Sequence, residues 1–336
     1  MQNLWIYTGV FLLIATCVAA DITFLSDRDG KRDIYVMNDD GSHVRRLTDT
    51  PFKIIGPTWS PDGRKIAFSM DLHSTDPKKW QQYDVFIINA DGTRQRNLTE
   101  HPKLDGLPSF SPDGKYLAFD SSRAAHGMGD IFIMELATRK VWQLTNGRFA
   151  SSANYSPDGE AIAYESLRPG AGRHIYIMDA DGRRQRPLLR QPRHATFGGT
   201  LLSFDPQWSP DGQRILYSEI ELVAGKGRVA NAILIVDPQT RHLKVLDTPK
   251  KWMIDAVCWV DDGDAILFAA VRNGLVNNSR IFNIYKYRLS DGQITNLTNH
   301  PSDNWSMHWT PHNSLSVSSA AKLSTLWAEI KTHGTD

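Results

Sequence analysis

The chain has 336 residues, 41% of them hydrophobic, and a formal charge of +1. That length supports a large core, and so balanced a charge argues against a nucleic-acid partner. With two cysteines in all, a disulfide framework is excluded as the source of stability.

Leu4 to Ala20 carries no charge, is mostly apolar and ends in Val18-Ala19-Ala20 before Asp21, which is the pattern of a secretory signal with small residues at its cleavage site. Export is therefore expected, with residues 1–20 removed and the product periplasmic or secreted. The alternative is a lipid anchor through Cys17, after Ile14-Ala15-Thr16. Cleavage after Ala20 leaves Cys258, which lies beside Trp259 in an apolar run and reads as a small buried hydrophobe.

From Asp21 onward the chain is written in short apolar runs. Ile22 to Leu25, Ile34-Tyr35-Val36-Met37 and Val44 to Thr48 make a first group of three. A five-residue phrase then begins, Trp59-Ser60-Pro61-Asp62-Gly63. It returns as FSPDG at 110–114, YSPDG at 155–159, WSPDG at 208–212, WVDDG at 259–263 and WTPHN at 309–313. Successive aromatic residues are 51, 45, 53, 51 and 50 positions apart, the period of a four-stranded propeller blade. Proline presets the first turn corner, Asp bonds its own backbone, and Gly takes the positive-φ position, so each phrase is a tight reversal between two strands.

After each turn comes a second strand, such as Ile66-Ala67-Phe68 or Leu117-Ala118-Phe119. A third follows, such as Val85-Phe86-Ile87-Ile88 or Ile131-Phe132-Ile133-Met134. A second tight turn then carries Asp-Gly, as in Asp40-Gly41, Asp91-Gly92, Asp181-Gly182 and Asp291-Gly292. These turns lack the twelve-residue frame and closing Glu of a calcium loop, so they are read as hairpins. A basic fourth strand ends in Leu-Thr, and its charges guard a free sheet edge. The first group lacks a first strand and the last first strand, Trp305 to Thr310, lacks a group. The expected fold is an all-β, six-bladed propeller of four-stranded antiparallel blades over residues 21–313, closed by pairing of its N- and C-terminal strands. Residues 314–336 form a tail packed on it, with Leu323 to Ile330 fitting either a strand or a short helix.

Both tight turns of each unit lie on one side of the ring. The long connections lie on the other: Asp71 to Tyr83, Ser121 to Gly129, Ser166 to Arg173, Glu219 to Ala230 and Val271 to Arg280, plus the links between units. Variable loops on a rigid scaffold are where binding residues concentrate. That face is expected to carry Trp80, Phe149, Phe197, Trp252 and Trp305, with Asp105 and Asp255. The alternative for each aromatic is packing between blades. His73, His101, His126, His194 and His300 fall there too, with Asp105, Asp255 or Asp303 as candidate oxygen ligands. Nowhere does a GxSxG, HExxH, CxxC or phosphate loop occur, so no catalytic residue and no cofactor are expected.

The repeated aromatic-Ser-Pro-Asp-Gly, the Ile-Tyr-Val-Met strand and the closing Leu-Thr resemble the WD-like propeller repeat of the TolB family, over roughly residues 21–313. The resemblance implies a periplasmic propeller that contacts envelope lipoprotein partners; a monomer is expected. The repeat is also similar to the propeller of prolyl oligopeptidase-like enzymes and to oligogalacturonate lyases. The expected function is an exported non-catalytic module holding a protein or peptide partner, with a glycan as another ligand class. The lyase resemblance implies the alternative: a divalent metal held by His101, His194 and His300 and acting on an acidic sugar.

Overall fold

The computed structural model describes residues 21–310, apart from 77–78, 80, 125–126, 128, 147–148, 169–171, 191–192 and 275–280. The leader, Cys17 and the tail beyond Thr310 thus lie outside the described residues. In chain order the strands are β1 (Asp21–Ser26), β2 (Asp33–Asn38) and β3 (Arg45–Arg46), then β4 (Lys53–Trp59), β5 (Lys65–Asp71), β6 (Tyr83–Asn89) and β7 (Arg96–Asn97). Next come β8 (Asp105–Phe110), β9 (Tyr116–Ser121), β10 (Asp130–Glu135) and β11 (Val141–Gln143), followed by β12 (Ala150–Tyr155), β13 (Ala161–Arg168), β14 (Gly172–Asp179) and β15 (Arg186–Pro187). The last are β16 (Thr200–Trp208), β17 (Ile215–Val223), β18 (Gly227–Val236), β19 (Leu243–Val245), β20 (Met253–Val260), β21 (Ala265–Val271), β22 (Asn283–Arg288), β23 (Ile294–Asn296) and β24 (Asn304–Trp309).

The fold is all-β, built of four-stranded antiparallel sheets. β4–β7, β8–β11 and β20–β23 each form one, and β24 completes another by pairing antiparallel with β1 ahead of β2 and β3. The β12–β15 and β16–β19 sets are joined by one parallel pairing, Arg173 opposite Leu202. The sequence pattern expects these two sets to be separate, with irregular loops over Ser166–Arg173 and Glu219–Ala230. Instead β13–β14 stay paired out to Arg168 opposite Gly172, and β17–β18 to Val223 opposite Gly227. Alternation in Glu219-Ile220-Glu221-Leu222 suits an extended ribbon, and the longer strands reach their neighbours.

The repeated motifs have specific bonding roles. In Ser-Pro-Asp-Gly the serine hydroxyl donates to the aspartate two residues on, at 2.6 Å in Ser60–Asp62, Ser111–Asp113 and Ser156–Asp158. The same hydroxyl accepts the N–H of the first residue of the next strand, Lys65 or Tyr116, at 2.9 Å. Ser111 is fully buried, and Ser111→Ala strands the Tyr116 N–H. Urea denaturation should show that variant about 1 to 2 kcal/mol less stable, with an unchanged m-value. The closing Leu-Thr acts in the same way at the third strand. The N–H groups of Ile34, Val85, Ile131 and Ile284 donate to the hydroxyls of Thr48, Thr99, Thr145 and Thr298 at 2.8 to 3.0 Å. Thr48 and Thr145 donate in turn to Asp33 and Asp130, each at 2.8 Å.

Asp-Gly turns are closed by their own carboxylates, which take the N–H two residues on: Ser42 to Asp40 at 2.8 Å, Thr93 to Asp91 at 2.9 Å. Their glycines sit at positive φ against the preceding sheet, where a Cβ on Gly41 or Gly182 would stand 2.6 or 2.7 Å from the carbonyl oxygen of Leu297 or Leu144. Fourth strands are only two or three residues long, which keeps the free edge short. Basic residues in and just before them also tie sheets together, since Arg45 donates to the Ala90 carbonyl at 3.0 Å and Arg139 to that of Leu98 at 2.6 Å. The apolar clusters lie between sheets, as in Leu25, Ile34, Ile54, Phe68 and Phe86. Cys258 is buried in one of them, and that burial pushes its thiol up to about 12.

Candidate binding face and axial channel

First strands contact one another in succession: β24 with β4, β4 with β8, β8 with β12, β12 with β16, β16 with β20 and β20 with β24. Each carries a bulge just before its aromatic residue. Three residues ahead of that aromatic, Gly56, Leu107, Ser152, Asp205 and Ser306 all hold φ between 49° and 57°. A bulge frees a backbone N–H from its ladder, and side chains of the preceding sheet collect it. The Leu107 N–H donates to Ser69 Oγ at 2.8 Å, that of Ser152 to Asp120 at 3.0 Å, and that of Asp205 to Glu165 at 2.9 Å. The Trp59 N–H goes to His308 Nδ1 at 3.3 Å. The bulges line a cavity of about 120 Å³ on the common axis.

This arrangement gathers Asp120, Glu165 and Asp205, which sequence reasoning missed, with Asp255, which it expected on the loop face. Asp120 is pushed well up by burial and by Glu165, while Glu165 is raised by burial against the opposing pull of the Asp205 N–H and Arg173. Asp205 is pushed up to about 8 by burial, with Glu165 and Asp255 adding to it. Asp255 is also raised by burial, partly offset by Arg228, although its side chain meets solvent. Both facts fit a group in a narrow wet channel, accessible to water yet enclosed by protein. Burial lowers His308 to about 4, so its ring is neutral and accepts from Trp59. The legible signal was Asp120 and Glu165 directly after second-strand aromatics, where Leu25, Ser69, Ser218 and Ala269 stand in the other sets.

The loop-face aromatics divide. Phe197 is 62% exposed, and its loop is fastened from below: the N–H groups of Thr196, Phe197 and Gly199 donate to Glu221 at 2.6 to 3.0 Å. Phe149 is half-buried under the Arg173 guanidinium, which also covers Phe204 and pairs with Glu165 at 3.0 Å. Trp252 packs 4.7 Å from the Tyr285 ring, Arg32 lies 4.1 Å over Trp305, and both tryptophans pack against apolar clusters that join two sheets. Trp80 and His126 are outside the described residues. Asp105 is fully buried, raised by that burial and paired with Arg123 at 2.5 Å. Asp303 accepts the Phe282 N–H at 2.8 Å.

His101 and His300 each take a backbone N–H of their own loop, from Lys103 and Ser302, and His194 is exposed. His73 closes a turn with Asp76. Among the described residues no group of three or more His, Cys, Asp or Glu is placed to hold a metal ion. Among the described residues, four of the six exposed large apolar side chains do lie on the long-loop side: Leu104, Leu167, Phe197 and Ile281.

No family model matches the chain. It is 31% identical over 175 residues to the Tol-Pal system protein TolB of Francisella tularensis subsp. holarctica, covering 52% of this chain and 36% of that protein. It is 30% identical over 147 residues to the uncharacterized peptidase YuxL of Bacillus subtilis, covering 34% of this chain and 22% of the other. The matches thus span about a third or less of these relatives' own length. Among solved structures, TolB from Acinetobacter baumannii superposes with a TM-score of 0.68 at 21% identity, over 87% of this chain and 67% of that one. An oligogalacturonate lyase in complex with manganese gives 0.55 at 14% identity, over 83% and 74%. The fold is a β-propeller. Its repeats are similar to those of the TolB-named relatives.

Proposed function

We propose that this chain is a non-catalytic binding propeller of the cell envelope, with six blades closed by β24 against β1, that holds a protein or peptide partner on its long-loop face. The succession of first-strand contacts and the approach of Gly41 to Leu297 support the ring. The carrying observation is that Leu104, Leu167, Phe197 and Ile281 stand exposed on that one face, where isolated surface apolars would be scattered. TolB-named relatives support a protein partner and a periplasmic place, reached by loss of residues 1–20. The lyase alternative requires His101, His194 and His300 to converge on a metal. Its test is metal analysis of the purified protein.

Cross-linked partners from an envelope fraction, quantified for wild type and for Leu104→Ser, Phe197→Ser and Ile281→Ser combined, test the face. The folded triple variant should lose at least about 2 kcal/mol, some thirty-fold in affinity, for a partner seated there. Unchanged recovery of every partner would mean that this face is not the contact surface.

A further inference from the structure

In five strand sets the second and third strands set aromatic against aromatic: Phe24 and Tyr35, Phe68 and Phe86, Phe119 and Phe132, Tyr164 and Tyr176, Phe268 and Tyr285. In the remaining set Tyr217 faces Leu234. Four sets also carry an arginine four residues after the second-strand aromatic, and the guanidinium groups of Arg28, Arg123 and Arg272 cover the rings. Arg28 stands 4.9 Å from Tyr35, Arg123 5.2 Å from Phe119 and Arg272 5.6 Å from Tyr285. The corresponding residue after Tyr217 is Glu221, which is committed to the loop at 196–199. A smaller partner and no covering arginine leave a cavity of about 180 Å³ beside Tyr217.

Its polar lining is buried and incompletely used. Tyr217 is 2% exposed and Ser203 3%, and among the described residues neither hydroxyl makes a hydrogen bond. Buried hydroxyls ordinarily find a partner. Glu219 is neutralised by Arg193 at 2.6 Å, and exposed Arg190 adds one positive charge at the rim. Opposite these groups Ile175 and Leu188 offer an apolar wall. Two hydroxyl donors, one uncompensated guanidinium and an apolar wall complement a single carboxylate with a short hydrocarbon tail. At ~30 Å³ per water the volume equals about six waters, enough for an acid of roughly eight non-hydrogen atoms.

We propose that this cavity between β14–β15 and β16–β17 binds a small aliphatic monocarboxylate, its oxygens taking bonds from Tyr217, Ser203 and Arg190. The residues tested here differ from Leu104, Phe197 and Ile281, so failure of this site leaves the partner-binding reading standing. Isothermal titration of the full chain with 4-methylpentanoate tests it, alongside the corresponding amide and the peptide N-acetyl-glycyl-leucine. The acid should bind saturably, and the amide should be weaker by about ten-fold or more. Tyr217→Phe places the residue that four other sets carry at that position, so it should fold with an unchanged or higher melting temperature, yet lose about ten-fold in affinity. Arg190→Ala should do the same. Tighter binding of the peptide than of the free acid assigns the carboxylate to a chain terminus; weaker binding assigns it to a free small acid. Absence of saturable binding at millimolar acid, equal binding of the amide, or full affinity in Tyr217→Phe would each overturn the proposal.

Discussion

A chain ending at Asp303 should melt at least about 15 °C below one ending at Thr310, or fail to fold. β24 brings Met307 and Trp309 into the cluster with Ile22, Phe24 and Cys258, while Trp305 packs against the neighbouring cluster as well. Losing buried side chains of that size costs about 2 to 5 kcal/mol apiece, and a domain of this length shifts by roughly 2 to 4 °C per kcal/mol. β1 would also be left with an unpaired edge, as its other partner is β2. The chain ending at Thr310 isolates the strand from whatever follows it. If both truncations melt together, β24 contributes nothing as a strand.

Asp205→Asn should stabilise the protein, and by more as pH rises. The unfolded carboxyl ionises near its ordinary value of about 3.9, whereas the folded one holds its proton up to about 8. Below about pH 4 both states are protonated and the group is neutral in the balance. Between 4 and 8 the folded state binds the extra proton, so the wild type loses stability as pH rises, and above 8 the loss levels off. Asn removes that titration and suits the position's φ of 53° better than most residues. Because water reaches the channel, the gain is on the order of 2 kcal/mol at pH 9, vanishing near pH 4. His308 acts in the opposite sense: lowered to about 4, it contributes stability above about 6.5 that is lost as pH falls toward 4. Both proteins share His308, so differences between their melting temperatures at pH 4.5, 6, 8 and 9 isolate Asp205. A pH-independent difference would show that its carboxyl is not perturbed.

Turn chemistry is local, and so it was legible. Ser60 bonds Asp62 two residues away, and a recurring Trp-Ser-Pro-Asp-Gly reports such a bond without knowledge of anything distant. The closing Leu-Thr was visible as a pattern, but its partner, an Asp at the head of the third strand some fifteen residues back, was not connected to it. The candidate site was read less well because burial there is decided by side chains that the local pattern does not register. Trp305 looks like a loop aromatic until Arg32 is placed over it, and Asp105 looks like a free carboxylate until Arg123 closes on it. Asp205 gives no local sign at all. Its setting comes from Glu165 in one sheet and Asp255 in another, meeting on an axis that exists only once the first strands come together.

The fastening of residues 196–199 to Glu221 bears on how Phe197 would meet a partner. An aromatic on a slack loop must be immobilised at the moment of contact, which subtracts roughly 0.5 to 1.5 kcal/mol for each rotamer-rich side chain and more for the backbone. Three N–H groups held by one buried carboxylate settle that ordering during folding. The ring is therefore presented to solvent already in place, and its encounter with a complementary pocket resembles a key meeting a lock more than a loop closing on a ligand.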